Sequence, residues 1–325
     1  MAVKNDNLPM VDIVIPTYKR PKLLQRALES VLNQTYPNIV NIIVTDDSND
    51  DAETMQLIKN FQLRDPRILY VYNDRYLHCP AGNKNNGIDH VESEFFLILD
   101  DDDWLEGSAT EEMVCIAARG SYDIVFANCI DERGNFMGEH HGKSEEATYK
   151  DFICGYFDGE YVWLVRTSAF GKIRFNHKLI YGEHVVMWKV LDGKKIFHLH
   201  KPFRYYNTQG VRITTAPKKN PERFFDIWYE TCTIFEDDFL QWCPRRLQKY
   251  LMLLAYHSVL AGRKEETRKI IKEVYIKDKN IMFLVPLIVL YFPANFLVLL
   301  RSSYTVFHLA IRNARLRLLA LRSKV

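Results

Sequence analysis

The chain has 325 residues, 47% hydrophobic and 26% charged, enough to bury a core as one large α/β domain with an appendage or as two modest domains. A net charge of +2 supplies no general attraction for nucleic acid, so no nucleic-acid partner is expected. The six cysteines lie far apart with no Cys-x-x-Cys pair, which argues against a zinc site or a disulfide framework and for buried thiols in a reducing compartment.

The N-terminal stretch MAVKNDNLPMVDIV has no long apolar run after its charges, so no secretory signal peptide is expected. Val11 to Ile15 reads as a short buried strand ended by Pro16. A helix is predicted from Pro21, a favoured first-turn residue, because Leu23, Leu24, Ala27, Leu28, Val31 and Leu32 recur at helical spacing. Val40 to Val44 is a second strand, Ala52 to Phe61 a helix, Ile68 to Tyr72 a third strand and Ala81 to Val91 a weaker helix. Phe95 to Leu99 is a fourth strand that runs straight into Asp100. Repeated strand–helix units imply a Rossmann-like, mostly parallel sheet with helices on both faces.

The middle is more mixed. Strands are predicted at Asp123 to Ile130, Tyr161 to Val165, Ile196 to Leu199 and Phe203 to Tyr206, with a helix at Glu183 to Leu191. From Pro221 the pattern is helical, over 221–239, 244–261 and 264–274. The run TAPKKNP breaks the pattern and places a boundary near Ala216–Asn220, giving an expected catalytic domain at 1–218 and a helical region at 219–325.

Ligands of a doubly wound sheet bind beyond the carboxyl ends of its strands. Three ends here are polar or acidic: Pro16-Thr17-Tyr18, Asp46-Asp47-Ser48 and Asp100 to Asp103. An isolated acidic pair is as readily a solvated loop, but several such ends on one edge point to a shared site. Adjacent carboxylates also repel, by roughly 1 kcal/mol at about 4 Å in water and about 4 kcal/mol at an effective dielectric near 20. A divalent cation removes that cost, and hard oxygen ligands suit Mg2+ or Mn2+. Mg2+ takes one or two carboxylates and completes its shell with water and phosphates, an arrangement that stabilises a departing nucleoside diphosphate.

The residues resemble the family 2 glycosyltransferases of the GT-A fold, over roughly residues 10 to 215. VDIVIPTYKRPKLLQRALESVLNQTYPNIVNIIVTDDSND is similar to that family's nucleotide-binding segment. FFLILDDDDWLEG is similar to its Asp-x-Asp-Asp-Trp segment, and GNKNNGID to its Arg-Asn-x-Gly segment, with Lys84 where Arg is usual. The resemblance implies that Pro16, Thr17 and Tyr18 line the nucleoside pocket and that Asp46 or Asp47 accepts a hydrogen bond from the base, although the usual Gly before Ser48 is missing. It implies Lys84 at the diphosphate, Asp100 near the ribose or metal, and Asp102 as the main metal ligand. Asp101 belongs to the same nucleotide-sugar segment but is expected to point elsewhere. Asp103 and Trp104 are expected to shape the loop and acceptor side.

An inverting transfer needs a base for the acceptor hydroxyl. In the family a Glu-Asp pair opening a helix supplies it. Here FNHKLIYGEHVVMW puts Glu183 at the first position and His184 at the second, and either can accept a proton, while a helix-capping role is the plainer alternative. Arg212, after Tyr206 and Asn207, falls in the family's flexible loop, where it either reaches the diphosphate or is a solvated charge. His140-His141 has no helical i, i+4 partner or third ligand, so a solvated loop is expected there.

Ile281 to Leu300 carries no charge and is close to the length of a membrane span, but Pro286, Pro293 and Asn295 interrupt it. Beyond it, Tyr304, Phe307, Ile311, Ala314, Leu318 and Leu321 fall on one helical face, with Arg301, His308, Arg312, Arg315 and Arg322 on another. A basic amphipathic helix of this type lies on an anionic membrane surface; packing on the catalytic body is the soluble alternative. The charge bias puts the body on the cytoplasmic side, peripherally associated with the inner face of the cell membrane.

The expectation is therefore an inverting, Mn2+- or Mg2+-dependent transferase. It moves a sugar from a nucleoside-diphosphate sugar, by resemblance a UDP-sugar, to a hydroxyl of a polyprenyl-linked glycan in surface polysaccharide assembly. A sugar nucleotidyltransferase would need a Gly-rich phosphate loop, which Pro16-Thr17-Tyr18-Lys19-Arg20 lacks. A membrane-associated nucleotide-sugar-binding protein with a decayed site is the non-enzymatic alternative, kept open by the Glu183-His184 departure.

Overall fold

The structure is a computed structural model that describes residues 8–179, 182–208 and 221–299. The chain divides into two compact units, Met1–Thr215 and Ala216–Val325.

The first unit is built on one sheet of nine strands: β1 (Val11–Thr17), β2 (Ile39–Asp46), β3 (Ile68–Tyr72), β4 (Phe95–Ile98), β5 (Trp104–Leu105), β6 (Ile124–Ile130), β7 (Glu145–Ala147), β8 (Tyr161–Arg166) and β9 (Ile196–Tyr205). Their order is β3-β2-β1-β4-β8-β6-β9-β5, with β7 on β9. The pairs β1–β2, β1–β4 and β2–β3 are parallel, as strand–helix alternation requires, and so is β6–β9. Strand β8 lies antiparallel between β4 and β6. Its first residues therefore sit beside the carboxyl end of β4, a placement that decides the makeup of the site.

Strand β1 is apolar almost throughout because both of its edges are paired, and all seven residues are buried. Helix α1 (Pro21–Leu32) buries Leu24, Ala27, Leu28 and Val31, the i, i+3, i+4, i+7 set, against this sheet. Helix α2 (Ala52–Arg64) follows the same logic with Ile58 and Phe61. Helix α3 (Pro80–Ile88) does not. Its Asn83, Lys84, Asn85 and Asn86 are buried, so it lacks the apolar stripe that marks a core helix. Hydrogen bonds replace apolar contact: Asn83 Nδ2 donates to Thr17 O at 2.9 Å, Thr45 Oγ1 to Asn83 Oδ1 at 2.7 Å, and Asn85 Nδ2 to Phe175 O at 2.8 Å. Gly87 permits the close approach, since a Cβ there would stand 2.3 Å from Val14 Cγ1.

Helix α4 (Ala109–Gly120) was not anticipated. Its buried face is Ala109, Thr110, Met113, Val114 and Ala117, in which small residues blur the periodicity. Helices α5 (Tyr149–Ile153) and α6 (Thr167–Phe170) are short, and α7 (Glu183–Leu191) begins at Glu183 as expected. The two short strands predicted near the end of this unit are one strand, β9, whose register against β6 shifts around Asn128. Residues beyond Leu199 skip ahead to Pro202, which interrupts the apolar pattern without ending the strand.

The second unit is helical over its described residues: α8 (Pro221–Ile234), α9 (Glu236–Trp242), α10 (Pro244–Ala261), α11 (Lys264–Asp278), a 3-10 turn (Ile281–Leu284) and α12 (Pro286–Val289). The uncharged segment is broken into short pieces. No helix among the described residues is long and apolar enough to cross a membrane. Leu290 and Leu297 instead join Ala255 and Val259 of α10 in a small core. Other apolar residues of the segment are exposed: Ile281, Ile288, Tyr291 and Leu299 are 71%, 58%, 79% and 65% exposed. The basic amphipathic tail from Tyr304 onward lies outside the described residues.

Cys79, Cys115, Cys129 and Cys232 are free thiols, with Cys129 and Cys232 buried. Cys154 and Cys243 are not, so the expectation of unpaired cysteines fails at those two positions.

Candidate active site

The carboxyl ends of β1, β2 and β4 meet. Asp47 N donates to Thr17 O at 3.2 Å, and Thr17 Oγ1 donates to Asp101 Oδ2 at 2.7 Å. The first contact joins β2 to β1, and the second joins β1 to the acidic run.

On the β1–β2 side, Pro16 and Thr17 are buried and Tyr18 is 54% exposed. Asp46 is buried, and its Oδ1 accepts from Ser48 N at 2.9 Å, so the side chain closes its own turn without the usual glycine. Burial raises its carboxyl to about 6, against the Ser48 hydrogen bond. Asp47 Oδ1 accepts from Asn73 Nδ2 at 2.7 Å, and burial raises this carboxyl too.

The four carboxylates after β4 diverge. Asp101 is fully buried and turns inward, to Thr17 and to the Arg20 guanidinium, so it supports the loop from beneath, away from the open site. Burial lifts it to about 7, against Arg20 and Thr17. Asp103 is also buried; Arg204 Nε donates to its Oδ2 at 2.6 Å and Asn207 N to its Oδ1 at 2.8 Å. Burial raises it to about 6, against Arg204. Asp100 and Asp102 are the two that open outward, with side chains 31% and 35% exposed. Asp102 Oδ2 accepts from Arg20 Nη1 at 3.0 Å, and Arg26 Nη2 pins the Asp102 carbonyl at 2.5 Å. Next along, Trp104 is sandwiched, with the Arg26 guanidinium 3.9 Å from one ring centroid and Tyr205 stacked at 5.1 Å.

Lys84 is the centre of the arrangement. Helix α3 delivers its side chain, only 7% exposed, so that Nζ lies 2.9 Å from Asp100 Oδ1 and 2.5 Å from Glu183 Oε1. Burial opposes the charge on Lys84, but Asp100 and Glu183 outweigh it and raise its pKa. Burial likewise pushes Asp100 up, yet Lys84 and Arg204 hold it below the usual carboxylate range. Glu183 opens α7 and keeps its side chain 56% exposed. His184 lies against Trp188, with ring centroids 5.0 Å apart. Arg212 lies outside the described residues.

Among the described residues no three or more His, Cys, Asp or Glu side chains are grouped to hold a metal ion by themselves. The donors fit a cation that arrives with its ligand. Asp102 is partly open, and its Oδ1 accepts no hydrogen bond among the described residues. One or two carboxylates plus diphosphate oxygens suffice for Mg2+ or Mn2+. His140 and His141 do not form a second centre: His140 stacks on Phe136 at 4.1 Å and His141 on Tyr156 at 3.8 Å.

Sequence reasoning overlooked three site residues. Arg20 and Arg204 carry the counter-charge of the acidic run, and Glu160 stands 4.0 Å from Arg204 Nη2. Arg20 lies two residues after Tyr18, close behind the Pro16-Thr17-Tyr18 segment, which was a usable signal. Arg204 sits inside a predicted strand, where a charge between Phe203 and Tyr205 asks for a buried partner. Glu160 had no sequence signal, because only the antiparallel placement of β8 brings it to Asp100.

The Glycosyl transferase family 2 profile matches residues 12–178. The chain belongs to this family. It is 34% identical over 264 residues to a Campylobacter jejuni protein named GalNAc(5)-diNAcBac-PP-undecaprenol beta-1,3-glucosyltransferase, covering 78% of this chain and 84% of the relative. It is 30% identical over 189 residues to an uncharacterized glycosyltransferase of Methanocaldococcus jannaschii, covering 55% and 63%. Among solved structures, S. aureus TarS in complex with UDP-GlcNAc superposes with a TM-score of 0.58 at 16% identity, covering 82% of this chain and 92% of that one, which supports the GT-A fold. The protein is a family 2 glycosyltransferase.

Proposed function

We propose that this glycosyltransferase is an inverting, divalent-cation-dependent enzyme that passes a sugar from a UDP-sugar to a hydroxyl of a polyprenyl-diphosphate-linked glycan during surface polysaccharide biosynthesis. The observation that carries the reading is the position of Lys84 between Asp100 and Glu183. One ammonium touches the donor end of the site and the first residue of α7, so the two halves of a transfer reaction face each other.

Pro16, Thr17, Tyr18, Asp46 and Asp47 form the nucleoside side, with Tyr18 open to stack on a base. Asp102, with Asp100 beside it, would hold a Mn2+ or Mg2+ ion, which when bound would supply charge neutralisation to the leaving group. When the diphosphate binds, Lys84 turns its positive charge toward it and releases Glu183. The freed Glu183 carboxylate takes the proton of the acceptor hydroxyl as its oxygen bonds to the anomeric carbon, while the bond from that carbon to the diphosphate oxygen breaks and the nucleoside diphosphate departs. His184, whose ring packs on Trp188, is the second candidate base, and Glu183 is preferred because it is the one in contact with Lys84.

The lipid-linked acceptor is read from the name of the Campylobacter jejuni relative and from the exposed apolar side chains Ile281, Ile288, Tyr291 and Leu299. These exposed side chains meet the inner face of the membrane in this reading, as does the basic tail expected from the sequence. The test is a screen of UDP-sugars with Mn2+ or Mg2+, reading nucleotide release with and without excess EDTA. Full activity in EDTA would remove the metal from the reading.

A further inference from the structure

We propose that Glu160 is a sugar-binding residue of the active site: its carboxylate and the Nη2 of Arg204 together hold one sugar hydroxyl. The proposal rests on the glycosyltransferase reading and adds a specificity-determining residue to it.

Three observations support the assignment. First, Arg204 makes hydrogen bonds through Nε and Nη1 and none through Nη2 among the described residues. Its Nε donates to Asp103 at 2.6 Å and its Nη1 to Tyr161 O at 3.3 Å, but Nη2 stands 3.6 Å from Asp100 Oδ2 and 4.0 Å from Glu160 Oε2. Both separations exceed hydrogen-bond reach, so donor capacity remains on a side chain that is only 7% exposed. Second, the Glu160 carboxylate accepts no hydrogen bond among the described residues although Arg204 is its neighbour, and its side chain is 46% exposed. An arginine with a spare donor beside a carboxylate with spare acceptors suits a group that both accepts and donates. A hydroxyl does both, whereas a phosphate would be repelled by the carboxylate.

Third, the backbone under Glu160 is fixed. Gly159 pairs with Gly138 in an isolated antiparallel bridge, and its φ of +118° together with a 2.3 Å approach of any Cβ to Gly138 Cα excludes other residues. Glu160 N donates to Met137 O at 3.2 Å, and Glu139 N to Asp158 O at 2.8 Å. The carboxylate is thus presented from a hydrogen-bonded turn beside Arg204, which itself reaches Asp100. Preorganised polar groups of this sort discriminate hydroxyl positions, because a ligand lacking the hydroxyl leaves them unpaired.

The test compares wild type with Glu160→Gln, Glu160→Ala and Glu160→Asp in the full chain. Binding of UDP alone, of UDP-glucose and of UDP-GlcNAc with Mn2+ is measured by calorimetry, and KM and kcat are measured with a polyprenyl-diphosphate-linked glycan. For a donor-sugar contact, Glu160→Ala weakens UDP-sugar binding by about tenfold and leaves UDP binding unchanged. For an acceptor-sugar contact, donor binding is unchanged and the acceptor KM rises by about tenfold. In either case Glu160→Asp, which keeps the carboxylate, recovers part of the loss. Equal loss of UDP and UDP-sugar binding, or a Glu160→Ala enzyme within twofold of wild type on every measure, overturns the assignment. A wild-type chain that binds no UDP-sugar overturns it together with the reading it rests on.

Discussion

Replacing Lys84 with methionine tests the centre of the site. The substitution preserves most of the side-chain volume and removes one charge, leaving Asp100 and Glu183, both within 2.9 Å of the missing ammonium, facing each other. At roughly 5 Å and an effective dielectric near 20 their repulsion is about 3 kcal/mol. Glu183 is more than half exposed and Asp100 keeps Arg204 at 3.6 Å, so solvent and that arginine reduce the cost. The expected loss of stability at pH 7 is about 2 kcal/mol, read by urea denaturation.

The pH dependence has a definite sign. Asp100 is held below its ordinary pKa by Lys84 and Arg204 against the effect of burial. A depressed carboxylate contributes stability that is present above its unfolded pKa near 4 and is lost as pH falls through the folded value. The difference between wild type and Lys84→Met is therefore widest at neutral pH and narrows in acid. Loss of the point charge at the diphosphate should also raise the donor KM by about tenfold. A variant within about 0.5 kcal/mol of wild type at pH 7, with an unchanged donor KM, would refute the reasoning.

Asp102→Ala should lower transfer by about a thousandfold or more while the denaturation midpoint moves little, since the side chain is partly open and its removal frees Arg20 to keep Asp101; near-normal transfer would exclude the metal role. Glu183→Gln should lower kcat by about 100-fold or more and His184→Ala by much less, compared in single-turnover transfer; the reverse ranking would move the base to His184. Asp101→Asn bears on pH dependence. Asp101 is raised to about 7 by burial, so between its unfolded pKa near 4 and about 7 the folded chain holds a proton that the unfolded chain releases, and this group's contribution to stability falls as pH rises. The substitution should flatten the stability profile between about pH 4 and 7, and an unaltered slope there in urea titrations would contradict the assignment.

Much of this site was legible because it is local in sequence. Val11 to Thr17 and Phe95 to Ile98 are strands whose apolar runs stop at polar ends, and parallel strands expose those ends on one edge, so Thr17, Asp47 and Asp100 could be placed together before any coordinates. The divergence within the acidic run follows from the tight turn at Asp101–Asp102, which cannot aim successive side chains the same way; the resemblance had Asp101 pointing elsewhere and Asp102 toward the metal, and the structure adds that Asp101 turns inward onto Thr17 and Arg20 while Asp102 stays partly open. Helix α3 was only weakly legible because hydrogen bonds, which leave no periodic trace, replace its apolar face.

The sequence by itself determined the strand–helix alternation, the acidic strand ends and the family. Tertiary structure decided which charges neutralise which. Arg20, Arg204 and Glu160 reach the acidic run across separations of 81, 101 and roughly 60 residues, because a loop after β1, the last strand of the sheet and an antiparallel β8 all end at one edge. Side-chain alternation and helical periodicity report which face of an element is buried. They do not report which other element lies against it, and electrostatic partnership depends on that second fact.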